Sequence, residues 1–223
     1  MKQVGGVTAP SDEAAAAFRA AVVRLRSDQE QVSAVRPELA FEDVPAPRTL
    51  APFATAFAAT ARVDGTEVAS GRFVLLYDPA GQRGWAGPLR VRIYIRADLE
   101  PEIAADPMLG EVAWSWLTEA LDARTSGYAA PSGTVTRVVT EGFGAKRGEP
   151  QATGFELRAS WSPVGAADPS EGPPGPAAEA EPAQPELDGH LAAWCGAMCA
   201  AAGLPPLVAG VTALRPPARR RGP

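Results

Sequence analysis

The run LRVRIYIRA, Leu89 to Ala97, constrains the fold more than any other stretch of the chain. Successive side chains of a strand point to opposite faces. Leu89, Val91, Ile93, Ile95 and Ala97 therefore form one apolar face, and Arg90, Arg92, Tyr94 and Arg96 form the other. A helix would scatter both sets around its axis. One face of this strand must be buried against a core, and the other offers three guanidiniums around an aromatic ring.

The neighbouring segments support a sheet. Ala54–Val63 places Phe57, Ala59, Ala61 and Val63 on one side, and Asp64-Gly65 is a hairpin turn pair leading into Val68–Tyr77. GRFVLLY is apolar on both faces, which predicts a central strand. Asp78-Pro79-Ala80-Gly81 predicts a turn, followed by a loop bearing Trp85. Later, Gly133–Glu141 is rich in Thr and Val. In Gly154–Ser162, Phe155, Leu157, Ala159 and Trp161 alternate with Glu156, Arg158 and Ser160, as in an antiparallel strand buried on one side.

Three helices are predicted. Ser11 caps the first, which runs to about Ser27 with Phe18, Val22 and Leu25 on one side. Asp106 and Pro107 start the second at 107–123, whose stripe is Leu109, Val112, Ala113, Trp116, Leu117, Ala120 and Leu121. The last covers Leu187–Ala202, with Leu191, Trp194, Cys195, Met198 and Cys199 on its apolar side, and Gly203 ends it. Residues 36–52 contain Pro37, Pro45, Pro47 and Pro52 and predict an extended crossing segment with a short edge strand at Leu39–Phe41.

The resulting fold class is α+β: a five- or six-stranded antiparallel sheet with helices mainly on one face, in the order α-β-β-β-α-β-β-α. The expected organisation is one domain over 11–206. Residues 1–10 and an acidic Pro/Gly-rich insertion at 163–186 are expected to be disordered, and 207–223 to be a loose basic tail. The net charge of −5 misleads about the folded part. Asp168, Glu171, Glu179, Glu181, Glu186 and Asp188 account for it, and setting those six aside turns −5 into +1. A nucleic-acid binder usually has a broad basic excess, which this chain lacks. No run approaches the roughly 18 apolar residues of a membrane span, and MKQVGGVTAPSDE has no signal-peptide core. A cytoplasmic protein with no membrane partner is expected.

GRFVLLYDPAGQRGWAG, RADLEPEIAADPMLGEVAWSWLTEALDA, SGTVTRVVTEGFG, ELRASWSP and HLAAWCGAMCAAAGLPP resemble the domain-of-unknown-function family 3000 of high-GC Gram-positive bacteria. The resemblance covers most of 14–206 outside the acidic linker. It carries no established activity, cofactor or catalytic residue. Genes of that family often neighbour one for a ribonuclease-D-like exonuclease, which implies, weakly, an RNA-metabolism setting. The element order is also similar to that of type III secretion chaperones, in which an uncovered sheet face binds protein segments. That likeness is one of order alone, and fold does not fix function.

The arginine stripe has two readings. It is either a solvated face whose arginines pair across strands with Glu156 or Glu67, or a site for an anion, an RNA or a protein segment. On the binding reading, replacing Arg90, Arg92 and Arg96 together with alanine is expected to cost little thermal stability and to bring a clear loss of partner retention. Trp85 in QRGWAG is either a lid on the core or an exposed anchor. Trp116 belongs to the core stripe. Trp114, about 200° away around the helix, packs under a flanking segment or lies at an interface. Cys195 and Cys199, with His190 nearby, are too few for a structural zinc site and read as packing residues. Asp98, Glu100, Glu102 and Asp106 read as helix-start acids. No phosphate-loop or dinucleotide fingerprint is present.

The leading expectation is a non-enzymatic adaptor or chaperone-like module. It would bind a protein partner or a second copy through Arg90, Arg92, Tyr94, Arg96 and Trp85, without cofactor or metal. The alternatives are an RNA-associated accessory protein and an enzyme of unknown class.

Overall fold

The computed structural model describes residues 11–148, 151–165 and 187–206. The expectations for 1–10, for 207–223 and for nearly all of the acidic insertion lie outside the described residues. Six strands make one antiparallel sheet in the order β1-β2-β3-β4-β6-β5. They are β1 (Leu39–Asp43), β2 (Phe53–Val63), β3 (Thr66–Tyr77), β4 (Leu89–Asp98), β5 (Tyr128–Thr140) and β6 (Ala152–Pro163). The helices are α1 (Asp12–Val35), α2 (Pro101–Ala105), α3 (Leu109–Arg124) and α4 (Asp188–Ala201). The predicted edge strand is thus a full sixth strand.

Register makes the two faces easy to state. Phe57 pairs with Phe73, Phe73 with Ile93, and Ile93 with Ala159. Odd-numbered residues of β2, β3, β4 and β6 therefore share the inner face, and even-numbered residues share the outer one. The inner face packs on the helices. Trp194 of α4 meets Phe73, Trp116 of α3 meets Phe155 edge-on, and Phe18 of α1 stacks on Phe53 and Tyr77. Asp64 and Gly65 both adopt positive φ, as a tight hairpin turn with the sheet's twist requires.

The helix α4 is enclosed between α1 and α3 above β3 and β4, so its apolar residues are buried on more than one side. Gly71 makes this seat possible. A Cβ there would lie 2.8 Å from the Tyr94 carbonyl oxygen and 2.9 Å from Trp194 Cζ2. The side chain is omitted where helix and sheet approach most closely.

Three expectations change. α1 runs on to Val35 instead of ending near Ser27, because 28–35 continues in helix-compatible residues up to Pro37. The helix expected over 107–123 begins two residues later and is preceded by a separate short helix. A short α2 begins at Pro101, Asp106 turns the chain by accepting from the Met108 amide at 2.8 Å, and α3 begins at Leu109. Val112 is exposed, and Trp116 is only partly buried at the edge of the stripe. Among the described residues no helix is long and apolar enough to cross a membrane.

Candidate functional site

The outer face is only partly open. After β1, residues 44–52 leave the sheet edge as a strap and cross that face. Arg72 donates a hydrogen bond to the Pro45 carbonyl, and Gln82 Nε2 donates to the Leu50 carbonyl at 3.0 Å. The loop 78–88 closes in beside it, its Ala86 amide donating to Ser162 Oγ at 3.0 Å. Together they shelter the outer-face residues Ala56 and Leu76, both buried. The reason is in β3: its apolar residues on both faces need cover on both, and the helices supply only one. The rest of the face, around Arg96, remains exposed.

Two shallow clefts flank the strap. The first, about 330 Å³, lies among Pro45, Pro47, Leu50, Arg72, Arg92 and Tyr94. The second, about 260 Å³, lies among Leu50, Gln82, Arg83, Trp85, Arg90, Arg92 and Ser160. Arg92 borders both.

The stripe expected from the sequence does not act as one unit. Arg92 and Arg96 are exposed, but Arg90 is buried at 8% exposure. Its guanidinium donates to the Ala130 carbonyl at 3.0 Å, Ser160 Oγ at 2.8 Å, and more weakly to Ser132 Oγ, Ser162 Oγ and the Ser160 carbonyl. Ala130 has φ of +49° at a register shift in β5. Arg90 thus clamps an irregular stretch of the neighbouring strands. Burial, with help from the nearby Arg92 charge, pulls its pKa below the usual arginine value. The expectation that all three arginines look out at solvent is corrected for Arg90, and with it the expectation that replacing all three spares stability. A strand at the side of the stripe, β5, bends over it and supplies oxygens, which one strand's pattern does not show.

Tyr94 is half-buried. Arg158 lies over its ring, 5.2 Å from the centroid, and is paired with Glu156 at 2.6 Å. Burial first, then a hydrogen bond to Glu156, raises the tyrosine pKa. Arg96 reaches Asp98 only at 4.0 Å. Glu156 is thus paired within β6, by Arg158 two residues along the same strand. Among the described residues no arginine of the stripe lies within 4.0 Å of Glu156 or Glu67, so the expected cross-strand ion pairs do not form. Arg72, Arg83 and Arg92 have no carboxylate within 4.0 Å among the described residues. Arg72 and Arg158 sit directly across from Tyr94 on either side. Neither was singled out from sequence, because only strand pairing brings them to the ring. Arg83 was missed because it lies in a loop without periodicity.

Trp85 is half-buried, lining the second cleft rather than standing free. Trp114 packs on β5, where a Cβ on Gly133 would approach its ring to 2.6 Å. Cys195 and Cys199 are buried free thiols, and burial drives both pKa values up, far up for Cys195. His190 Nδ1 accepts from Trp161 Nε1 at 3.0 Å inside the core. Among the described residues no group of three or more His, Cys, Asp or Glu side chains is placed to hold a metal.

Fold and site together define an α+β protein with one antiparallel sheet, helices on its inner face, and a strapped cationic outer face. A family model described as Protein of unknown function (DUF3000) matches residues 14–212, and the chain belongs to that family. No curated protein and no solved structure matches the chain.

Proposed function

We propose that the chain is a non-enzymatic binding module that takes an acidic protein segment on its outer sheet face. The observation that carries this reading is the group Arg72, Arg83 and Arg92, crowded around the strap with no carboxylate partner among the described residues. Like charges left together in one patch repel. A partner carrying acids relieves that repulsion and is steered to the patch. Arginine and tyrosine beside Pro45, Pro47 and Leu50 combine charge with apolar contact, as protein interfaces do.

Among the described residues neither cleft is lined by a carboxylate, a histidine or a cysteine that could serve as a general acid or base. The RNA alternative asks for several freely stacking rings. Here Tyr94 is capped by Arg158 and Trp85 is half-buried.

The test places a photo-crosslinking residue at Arg96 on the outer face, and at Val23 on the exposed side of α1 as a control. Protein adducts are expected in cells from position 96 alone, and R72Q/R92Q should remove them. Absence of adducts at 96, or equal adducts at 23, sinks the reading. A fluorescence-anisotropy titration with single-stranded RNA runs beside it. Salt-sensitive RNA binding lost in the same variant would transfer the face to RNA.

A further inference from the structure

The second cleft has a composition of its own. Arg83, Arg90 and Arg92 converge on about 260 Å³ together with the Gln82 amide, the Ser160 hydroxyl and the Trp85 ring. Among the described residues no acidic side chain lines it, although the Gln82 amide donates to the Asp78 carboxylate just behind the wall, and to the Leu50 carbonyl, both at 3.0 Å. Arg90 is the unusual member. It is a guanidinium only 8% exposed, and among the described residues its hydrogen-bond partners are all neutral oxygens. A buried charge ordinarily has a counter-charge or a metal site beside it. Here the charge that acts on it is a second cation, Arg92. Arg90 and Arg92 are two apart on one strand face, so their Cα atoms are roughly 6–7 Å apart. Two like charges so placed repel, and an anion between them relieves that repulsion.

The hydrogen bonds from Arg90 fix its position, so it is preorganised as a floor charge and loses no freedom on binding. Arg92 and Arg83 are exposed and can fold over a ligand from two sides. Guanidinium forks match the oxygens of phosphate two at a time. Arg83 and Arg92 offer such forks, whereas both Nη groups of Arg90 are already engaged by protein oxygens, so Arg90 adds charge. Three positive charges suit a dianion better than a single carboxylate. The ring of Trp85 and the Leu50 and Leu76 side chains give the cleft an apolar wall, which suits an ester group attached to the anion.

We propose that this cleft is a phosphate-monoester site, with Arg90 as the fixed buried charge, Arg83 and Arg92 as the closing arms, and Trp85 against the esterified group. This shares Arg83 and Arg92 with the docking of an acidic segment but adds the buried Arg90 and the Trp85 wall, which that reading does not use. The first cleft, with Arg72 and Tyr94, lies on the other side of the strap.

The test titrates inorganic phosphate and O-phosphotyrosine separately into the full chain at constant ionic strength. It follows the Trp85 indole N–H and the arginine Nε–H resonances, with W85F to assign the former. Saturable shifts at Trp85 and Arg92 are expected, with Kd on the order of 1 mM for inorganic phosphate. Tighter binding of phosphotyrosine supports the monoester site, and tighter binding of inorganic phosphate overturns it in favour of the free ion. R92Q and R83Q, both at exposed positions, should each weaken binding about tenfold and leave the remaining spectrum in place. Linear shifts, an equal response to acetate, or unchanged affinity in R92Q overturn the proposal. So does binding of oligouridylate where monoesters do not bind. Crosslinking from position 96 that survives R83Q while phosphate binding is lost would show that the two sites are separate.

Discussion

Phe57, Phe73, Ile95, Leu157 and Trp161 on the inner face of the sheet are essentially inaccessible to solvent, whereas Arg72, Arg92, Arg96 and Arg158 on the outer face are exposed. Both sets come from the same strands, offset by one residue. The inner face is closed by three helices that bring large apolar surfaces. The outer face is closed at one end by a strap and a loop held by a few polar hydrogen bonds. Packing energy and cationic charge are thus separated across one backbone layer. Arg90 is the exception, an outer-face residue that does inner-face work.

The strongest way to break this contrast is at Trp161, which is fully buried and donates to His190. W161A should cost about 3–5 kcal/mol in urea unfolding, and a loss below about 1 kcal/mol would show that the inner face is not the main source of stability. The next effect is at Arg90. R90L leaves the Ala130 carbonyl and the serine hydroxyls without their donor, so a loss of about 1.5–3 kcal/mol is expected.

The buried thiols give a smaller, pH-dependent effect. Burial raises the folded-state pKa of Cys195 and Cys199 above the unfolded value of about 8.5. Below that value both states keep the protons and the thiols add no pH slope. Above it the unfolded chain releases protons that the folded chain retains, so stability falls as pH rises. The loss from Cys195 should reach about 0.8 kcal/mol by pH 9, with Cys199 adding a further loss of the same sign. A C195A/C199A variant should show a shallower decline between neutral pH and pH 9, and an equal slope would contradict the assignment. The smallest effect is at Arg92, two residues from Arg90. R92Q should change stability by no more than about 0.5 kcal/mol. If it matched R90L, the division between clamp and binding arm would be lost.

Much of the inner face was legible in the sequence because period-two alternation is a local property. Phe155, Leu157, Ala159 and Trp161 announce their face without knowledge of any neighbour. Asp64-Gly65 names its own turn by the positive φ that both residues adopt. The prolines of 36–52 marked a segment unable to continue as a helix. The outer face was legible only as a stripe along one strand. Arg72, Arg83 and Arg158 reach it by pairing and loop return, which no local pattern encodes.

The sequence by itself determined that β4 has one apolar and one cationic face, because side-chain alternation is built into an extended backbone. It also determined the antiparallel α+β class, through turn residues and alternating periods. Only the tertiary structure decided which cations are free. Arg90 is buried because β5 bulges at Ala130 and brings oxygens within reach of its guanidinium. Arg92 is left exposed where the strap passes between two clefts. A side chain's direction follows from the strand it occupies, but its burial depends on what distant segments place above it.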